Sequence, residues 1–213
     1  MKTATAKQID LVPTLFDFPI GYNLDKYPIY DRHLETILTR YDTYSCISFW
    51  DLKNEADLDF KYHGEEATME WLAFIIERAK VYTSKPITIG WSDWNYAHLF
   101  CGKLDIASFH YYKELADFEE AIISVKINCD NTIIVSEFGM STYSGLWPGG
   151  HSESEQKNYL DGINEILDEQ EVQGMVWCLY DYDHAPKDVF GWKPWIRAGQ
   201  KHFGILLRNG EQK

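Results

Sequence analysis

Two stretches of the chain place a carboxylate directly after an apolar run of strand type. In Ile47–Asp57 (ISFWDLKNEAD) the residues Ile47, Phe49, Trp50 and Leu52 lead into Asn54-Glu55. In Thr132–Gly139 (TIIVSEFG) the run Ile133-Ile134-Val135 leads into Glu137. Two buried strands that each end in one carboxyl group suit double displacement at an acetal carbon. That reaction needs the two groups roughly 5–5.5 Å apart, one to donate and retrieve a proton and one to attack. Asn54 could hydrogen-bond a sugar hydroxyl beside Glu55, and Tyr111 or Tyr112 could hydrogen-bond Glu137.

Other chemistries have weaker signals. The seven histidines show no HExxH spacing, which argues against a zinc hydrolase. His110 alone reads as a hydrogen-bonded core histidine or a substrate contact. Asp17, Asp93 and Asp181 have no spacing that favours a hard-metal site, and Ser136 lacks a GxSxG elbow. Cys46, Cys101, Cys129 and Cys178 are widely spaced without a CxxC. They read as small buried hydrophobes rather than a zinc site or a disulfide framework.

The elements that must carry these residues follow from periodicity. Strands are expected at Ile9–Phe18, Ile47–Leu52, Ile87–Trp91, Ile106–Tyr111, Ile133–Val135 and Val172–Tyr180. Amphipathic helices are expected over Asp31–Tyr44 (Leu34, Ile37, Leu38, Tyr41) and Glu65–Tyr82 (Leu72, Ile75, Ile76, Ala79). A third carries Phe118, Ala121, Ile122 and Val125, with Asp117 as its candidate cap. A fourth starts at a Ser152/Glu155 capping box. The first residues read as the end of a helix running into a strand, and Asp181–Phe203 as a long loop.

Strands alternating with helices call for a parallel sheet. An open doubly wound sheet would satisfy the count, but no GxGxxG follows the first strand. Polar and aromatic residues instead sit at nearly every strand's C-terminal end: Asn54-Glu55, Trp91, His110 to Tyr112, Glu137 and Trp177. That placement favours an α/β fold of the (β/α)8 TIM-barrel type with about six of its eight strands, as one domain over residues 1–213.

Composition narrows the partners. The formal charge is −13, which argues against nucleic acid and anionic membrane surfaces and favours a neutral substrate. No run of about 18 apolar residues exists to span a membrane, and the N-terminus has no signal-peptide core. Eight Trp, fourteen Tyr and eleven Phe carry two readings, large rings that fill the core and rings that stack on sugar faces.

Trp50-Asp51-Leu52-Lys53-Asn54-Glu55 resembles the Asn-Glu acid/base motif of clan A glycoside hydrolases, especially the family 5 cellulases and mannanases. Ser136-Glu137-Phe138-Gly139 resembles their nucleophile motif. His110-Tyr111-Tyr112 falls where they carry His-x-Tyr, and Trp177 where they place a sugar-platform Trp. The resemblance implies Glu55 as acid/base and Glu137 as nucleophile, with Asn54 on the 2-hydroxyl. It also implies Tyr112 (or Tyr111) orienting Glu137, Trp177 under the reacting sugar, and Trp91 and Trp94 as outer platforms. No cofactor or metal is implied.

Three departures accompany the likeness. Ala56 stands where the family usually has Pro. The motifs run from strand three to just past strand eight, so the family's first two strands, with an Arg near the nucleophile, lie outside this sequence. So does the last helix. Open sheet edges then predict self-association or a complementing N-terminal segment. Two other readings stand beside the hydrolase: a non-catalytic carbohydrate-binding relic, and an unrelated metal-dependent α/β hydrolase.

Overall fold

The structure, a computed structural model, describes residues 1–17, 21–143 and 150–213. The chain opens with α1 (Lys2–Lys7) and β1 (Thr14–Phe16), followed by α2 (Tyr27–Tyr41) and β2 (Trp50–Asn54). Next come α3 (Phe60–His63), α4 (Glu65–Tyr82), β3 (Ile87–Trp91) and β4 (Ile106–Tyr111). Then follow α5 (Phe118–Asn128), β5 (Thr132–Phe138), α6 (Glu153–Glu169) and β6 (Gln173–Val176). Two short helices, α7 (Lys187–Phe190) and α8 (Pro194–Gln200), occupy the expected long loop. The six strands form one sheet in the order β1-β2-β3-β4-β5-β6, and the β1–β2, β2–β3 and β3–β4 pairs are parallel. Sequential parallel neighbours joined by helices are the βα repeat that the alternation predicts.

β3 and β4 match the expected strands, β5 is longer than its apolar run, and β1, β2 and β6 are shorter than theirs. Leu11 and Ile47 make only an isolated bridge, so the first strand contracts to Thr14–Phe16, and Phe18 lies outside the described residues. β6 stops at Val176, which leaves Trp177 just beyond the strand. α2 starts four residues before the expected Asp31 because Pro28 at its first turn needs no amide partner there. Asp117 ends a 3₁₀ turn, Leu115–Asp117, ahead of α5. The capping box is present: the Ser152 hydroxyl accepts from the Glu155 amide, and the Glu155 carboxylate from the Ser152 amide.

The chain folds as two compact units, Met1–His110 with Ala121–Ile134, and Tyr111–Glu120 with Val135–Lys213. In the first, Trp71 of α4 is fully buried. It stacks on Tyr22 at 4.7 Å and meets Phe16 and Tyr30 edge-on at 5.2 and 5.7 Å. This aromatic knot locks β1, α2 and α4 together, and such ring pairs add to the burial of their area. In the second, α6 buries Tyr159, Ile163 and Leu167. A Cβ on Gly174 would lie 2.6 Å from Leu167, so α6 packs hard against β6.

The cysteine expectation is corrected for one pair. Cys101 and Cys129 form a disulfide, with Cα atoms 5.9 Å apart and a sequence separation of 28. Folding brings the turn before β4 alongside the end of α5, a proximity that linear spacing does not reveal. Cys46 and Cys178 are free and buried, as small hydrophobes. No helix among the described residues is long and apolar enough to cross a membrane.

Candidate active site

The first unit holds Glu55. The β2–β3 register advances three residues from Asp51 to Asn54 while the partner advances two, from Thr88 to Gly90. One extra residue of this kind bends a strand and re-aims the side chains beyond it. Glu55 then adopts φ 46°, ψ 50° as the chain turns into a 3₁₀ helix. A left-handed glutamate costs of order 1 kcal/mol and is found where the surrounding structure imposes it. Its Oε1 lies 3.2 Å from Nδ1 of His110. The His110 ring is buried at the end of β4, so the half-exposed carboxylate is held by a rigid partner.

Behind this contact sits a residue that sequence reading did not single out. Asp51 is buried, accepting from the Thr14 hydroxyl at 2.9 Å and the Gly90 amide at 3.1 Å. Burial pushes its carboxyl up, against the opposing pull of these two donors, the His110 ring and the Lys53 amide. A side chain at Gly90 would be crowded: a Cβ would lie 3.2 Å from His110 Nε2 and 3.6 Å from Asp51 Oδ2. Asp51 and His110 therefore approach each other across a bare backbone. In the sequence Asp51 alternates with Trp50 and Leu52 and falls two residues before Lys53 and four before Glu55, which puts it on the polar face of the run.

Asn54 donates from Nδ2 to Asp17 Oδ1 at 3.0 Å. Lys53 is buried, donates to the carbonyls of Asp17 and Asn54, and pairs with Asp59 at 3.3 Å. Asp59 in turn accepts from the Tyr22 hydroxyl. The ammonium thus fixes the backbone on both sides of the Asn54–Asp17 contact.

The second unit holds Glu137, half-exposed near the end of β5. The Tyr112 hydroxyl donates to its Oε2 at 2.6 Å. Tyr182 is a further neighbour missed by sequence reading: burial raises its phenol, with smaller contributions from the Cys178 thiol and the Glu137 charge. Trp177 lies 6.2 Å from the Tyr182 ring, and its amide donates to the Phe138 carbonyl at 2.7 Å. Gly139 makes that approach possible, since a Cβ there would lie 2.2 Å from the Trp177 carbonyl oxygen. The glycine of the SEFG motif is thus explained by close packing of the segment that carries Trp177.

Two of the expected site residues, Tyr111 and Trp91, are buried. Tyr111 is buried, its hydroxyl donating to the Glu114 carbonyl at 2.6 Å and its ring against Phe118 at 4.7 Å. Burial, with the Asp117 and Glu114 charges adding, pushes its phenol up to about 12. Adjacent strand residues face opposite ways, so only one tyrosine of the pair can reach Glu137, and it is Tyr112. Trp91 is also fully buried, against Phe60 and Tyr96, and has no open face for a sugar. Trp94, in a 3₁₀ turn, is half-exposed.

Asp17, Asp93 and Asp181 have separate duties. Asp93 caps its 3₁₀ turn by accepting from the Asn95 amide, and Asp181 pairs with Lys213 at 2.8 Å. No group of three or more potential metal ligands exists among the described residues.

Comparison with known proteins places this geometry. Among solved structures, the chain is similar to a β-glucuronidase from an uncultured Clostridium species, with TM-score 0.73, 18% identity, and coverage of 100% of this chain and 40% of that one. A Ruminococcus gnavus β-glucuronidase in complex with C6-substituted uronic isofagomine gives 0.74 and 20%, covering 100% and 39%. A β-D-glucuronidase from Dictyoglomus thermophilum gives 0.74 and 16%, covering 99% and 40%. The chain thus spans about two fifths of the length of these proteins, and at such identities they establish the fold. No curated protein matches the sequence significantly. The family model described as the glycosyl hydrolase catalytic core matches residues 54–190, well over half the chain, from Asn54 through both glutamates. The chain belongs to the glycosyl hydrolase catalytic core family.

Proposed function

We propose that the protein is a retaining β-glycoside hydrolase. The observation that carries this reading is Glu137 at a strand end, with one carboxylate oxygen held by the Tyr112 hydroxyl at 2.6 Å. In the first step the other oxygen attacks the anomeric carbon. The bond to the leaving oxygen breaks as Glu55 delivers a proton to it, leaving a glycosyl ester on Glu137. In the second step Glu55 takes a proton from water, whose oxygen displaces Glu137 and restores the original anomeric configuration. His110 positions Glu55, Asn54 meets the 2-hydroxyl, and Trp177 underlies the sugar.

On overall charge the substrate is a neutral β-linked poly- or oligosaccharide of the kind that family 5 cellulases and mannanases cleave. The names of the similar structures favour a second reading, a β-linked uronide. Both are tested with aryl β-glucoside, β-mannoside, β-glucuronide and mixed glycans, following the product anomer by proton NMR. The expected result is a β-anomer formed first, with turnover lost by at least about 10³-fold in Glu137→Gln. Undiminished hydrolysis in Glu137→Gln, or initial release of the α-anomer, would overturn the reading. Oligosaccharide binding with no product on any substrate would identify a non-catalytic binding protein.

A further inference from the structure

The segment after β6 differs in character from the rest of the molecule. Over residues 184–201 it carries Lys187, Lys193, Arg197 and Lys201 against one carboxylate, Asp188, in a chain with 20 basic and 33 acidic residues. Overall acidity therefore conceals a local reversal of sign. None of the four cations forms an ion pair among the described residues, and the Arg197 Nε is buried without a hydrogen-bond partner there. The same segment exposes Trp192 (79%) and Trp195 (61%), whereas Trp50, Trp71 and Trp91 are fully buried. The Lys187 ammonium sits 4.8 Å from the centre of the Trp192 ring.

This surface adjoins the Glu137 side of the candidate site within one unit. The Ser141 hydroxyl donates to the Gly199 carbonyl at 2.6 Å, and the Tyr182 amide to the Lys201 carbonyl at 3.0 Å. A cavity of about 320 Å³ opens beside these contacts, lined in part by Tyr112, Gly139, Ser141, Tyr143, Gly199 and Phe203. Tyr112 is the residue whose hydroxyl holds Glu137. The excursion bearing the exposed tryptophans is thus anchored at the rim of a cavity that reaches the candidate nucleophile's partner.

We infer that residues 187–201 form a docking surface for a polysaccharide chain bearing carboxylates. Apolar pyranose faces would lie on Trp192 and Trp195, with sugar carboxylates meeting Lys187, Lys193, Arg197 and Lys201. Two large exposed rings signal an interaction site, and unpaired cations beside them select an anionic occupant. Trp195 stands in α8 and Trp192 in the bend just before it, and indole rings, with few side-chain torsions to freeze, suit a repeating saccharide. The inference rests on the glycosidase reading for its place beside a reacting site, and favours its uronide alternative over the neutral glycan.

The test uses polygalacturonate, whose α-linkages a β-glycosidase leaves intact, so that docking is measured apart from turnover. Affinity electrophoresis of the full chain should show retention by polygalacturonate and little by hydroxyethylcellulose. Retention should fall about tenfold in Trp192→Ala/Trp195→Ala and in Lys193→Glu/Arg197→Glu, and largely persist in Trp192→Phe/Trp195→Phe. Turnover of small aryl β-glycosides should be unchanged in all three, and their circular dichroism native. Wild-type retention in the double alanine variant would overturn the inference. So would light scattering showing a wild-type dimer that this variant dissolves, which would assign the rings to a second copy. If no aryl glycoside is hydrolysed by the wild type, the glycosidase reading fails, while polygalacturonate retention still decides the surface.

Discussion

Tyr111 and Tyr112 show how much depends on single residues at a strand end. Both are tyrosines, one residue apart, and their hydroxyls go to a backbone carbonyl and to Glu137 respectively. Hydrogen bonds to charged groups contribute about 1.5–3 kcal/mol, and neutral ones about 1. Tyr112→Phe should therefore lower kcat by roughly 10- to 100-fold with little change in melting temperature. Tyr111→Phe should lose about 1 kcal/mol of stability and leave kcat unaltered. Steady-state kinetics and thermal melts on the two variants check the assignment, and a reversed pattern would refute it. On the Glu55 side, Asp51 and His110 face each other across Gly90, where a Cβ would crowd the His110 ring at 3.2 Å.

Among the elements, β2 carries the heaviest demands. Its Lys53 is buried with its ammonium spread over two carbonyls and Asp59. Removing one member of a buried pair strands the other charge, at a cost of about 3–5 kcal/mol. Lys53→Met should destabilise the chain by that order in denaturant titration, and should perturb Asn54 by releasing the Asp17 backbone. A second element-level brace is the Cys101–Cys129 disulfide between the turn before β4 and the end of α5. In the chain-entropy account, closing a loop of this size contributes about 3–4 kcal/mol. Cys101→Ser/Cys129→Ser, or reduction of the wild type, should lower the melting temperature accordingly, whereas Cys46→Ser should keep the wild-type response to reductant.

For the whole molecule, acidification supplies a probe of the C-terminal unit. Burial lowers the His202 pKa, with Lys213, Lys201 and Arg208 acting the same way and Asp181 opposing. The unfolded chain therefore binds a proton more readily than the folded one in the window between the lowered folded pKa and the usual value of about 6.5. Stability tied to this ring is complete above that window and is lost as the pH falls through it. Melting temperatures between pH 8 and pH 5 should decline below about pH 6.5, and His202→Asn should flatten that decline. An equal decline in His202→Asn would assign the effect to other groups. The uneven charge has a parallel consequence: glycan retention by the basic segment should weaken with salt although the protein as a whole is acidic.

Strand-to-helix alternation, the apolar runs and the capping box were local signals, and they were enough for the parallel α/β fold and for Glu55 and Glu137 as strand-end carboxylates. Periodicity tells which residues face inward because it is a property of the backbone repeat itself. Distance between residues remote in sequence is not such a property. The disulfide, the choice of Tyr112 over Tyr111, and the burial of Trp91 under Phe60 and Tyr96 all required neighbouring elements to be in place. The same holds for Asp51 beside His110, where a glycine on the adjacent strand makes the approach possible. Residue types and spacing declared which side chains could do chemistry, and only tertiary packing decided which of them reach it.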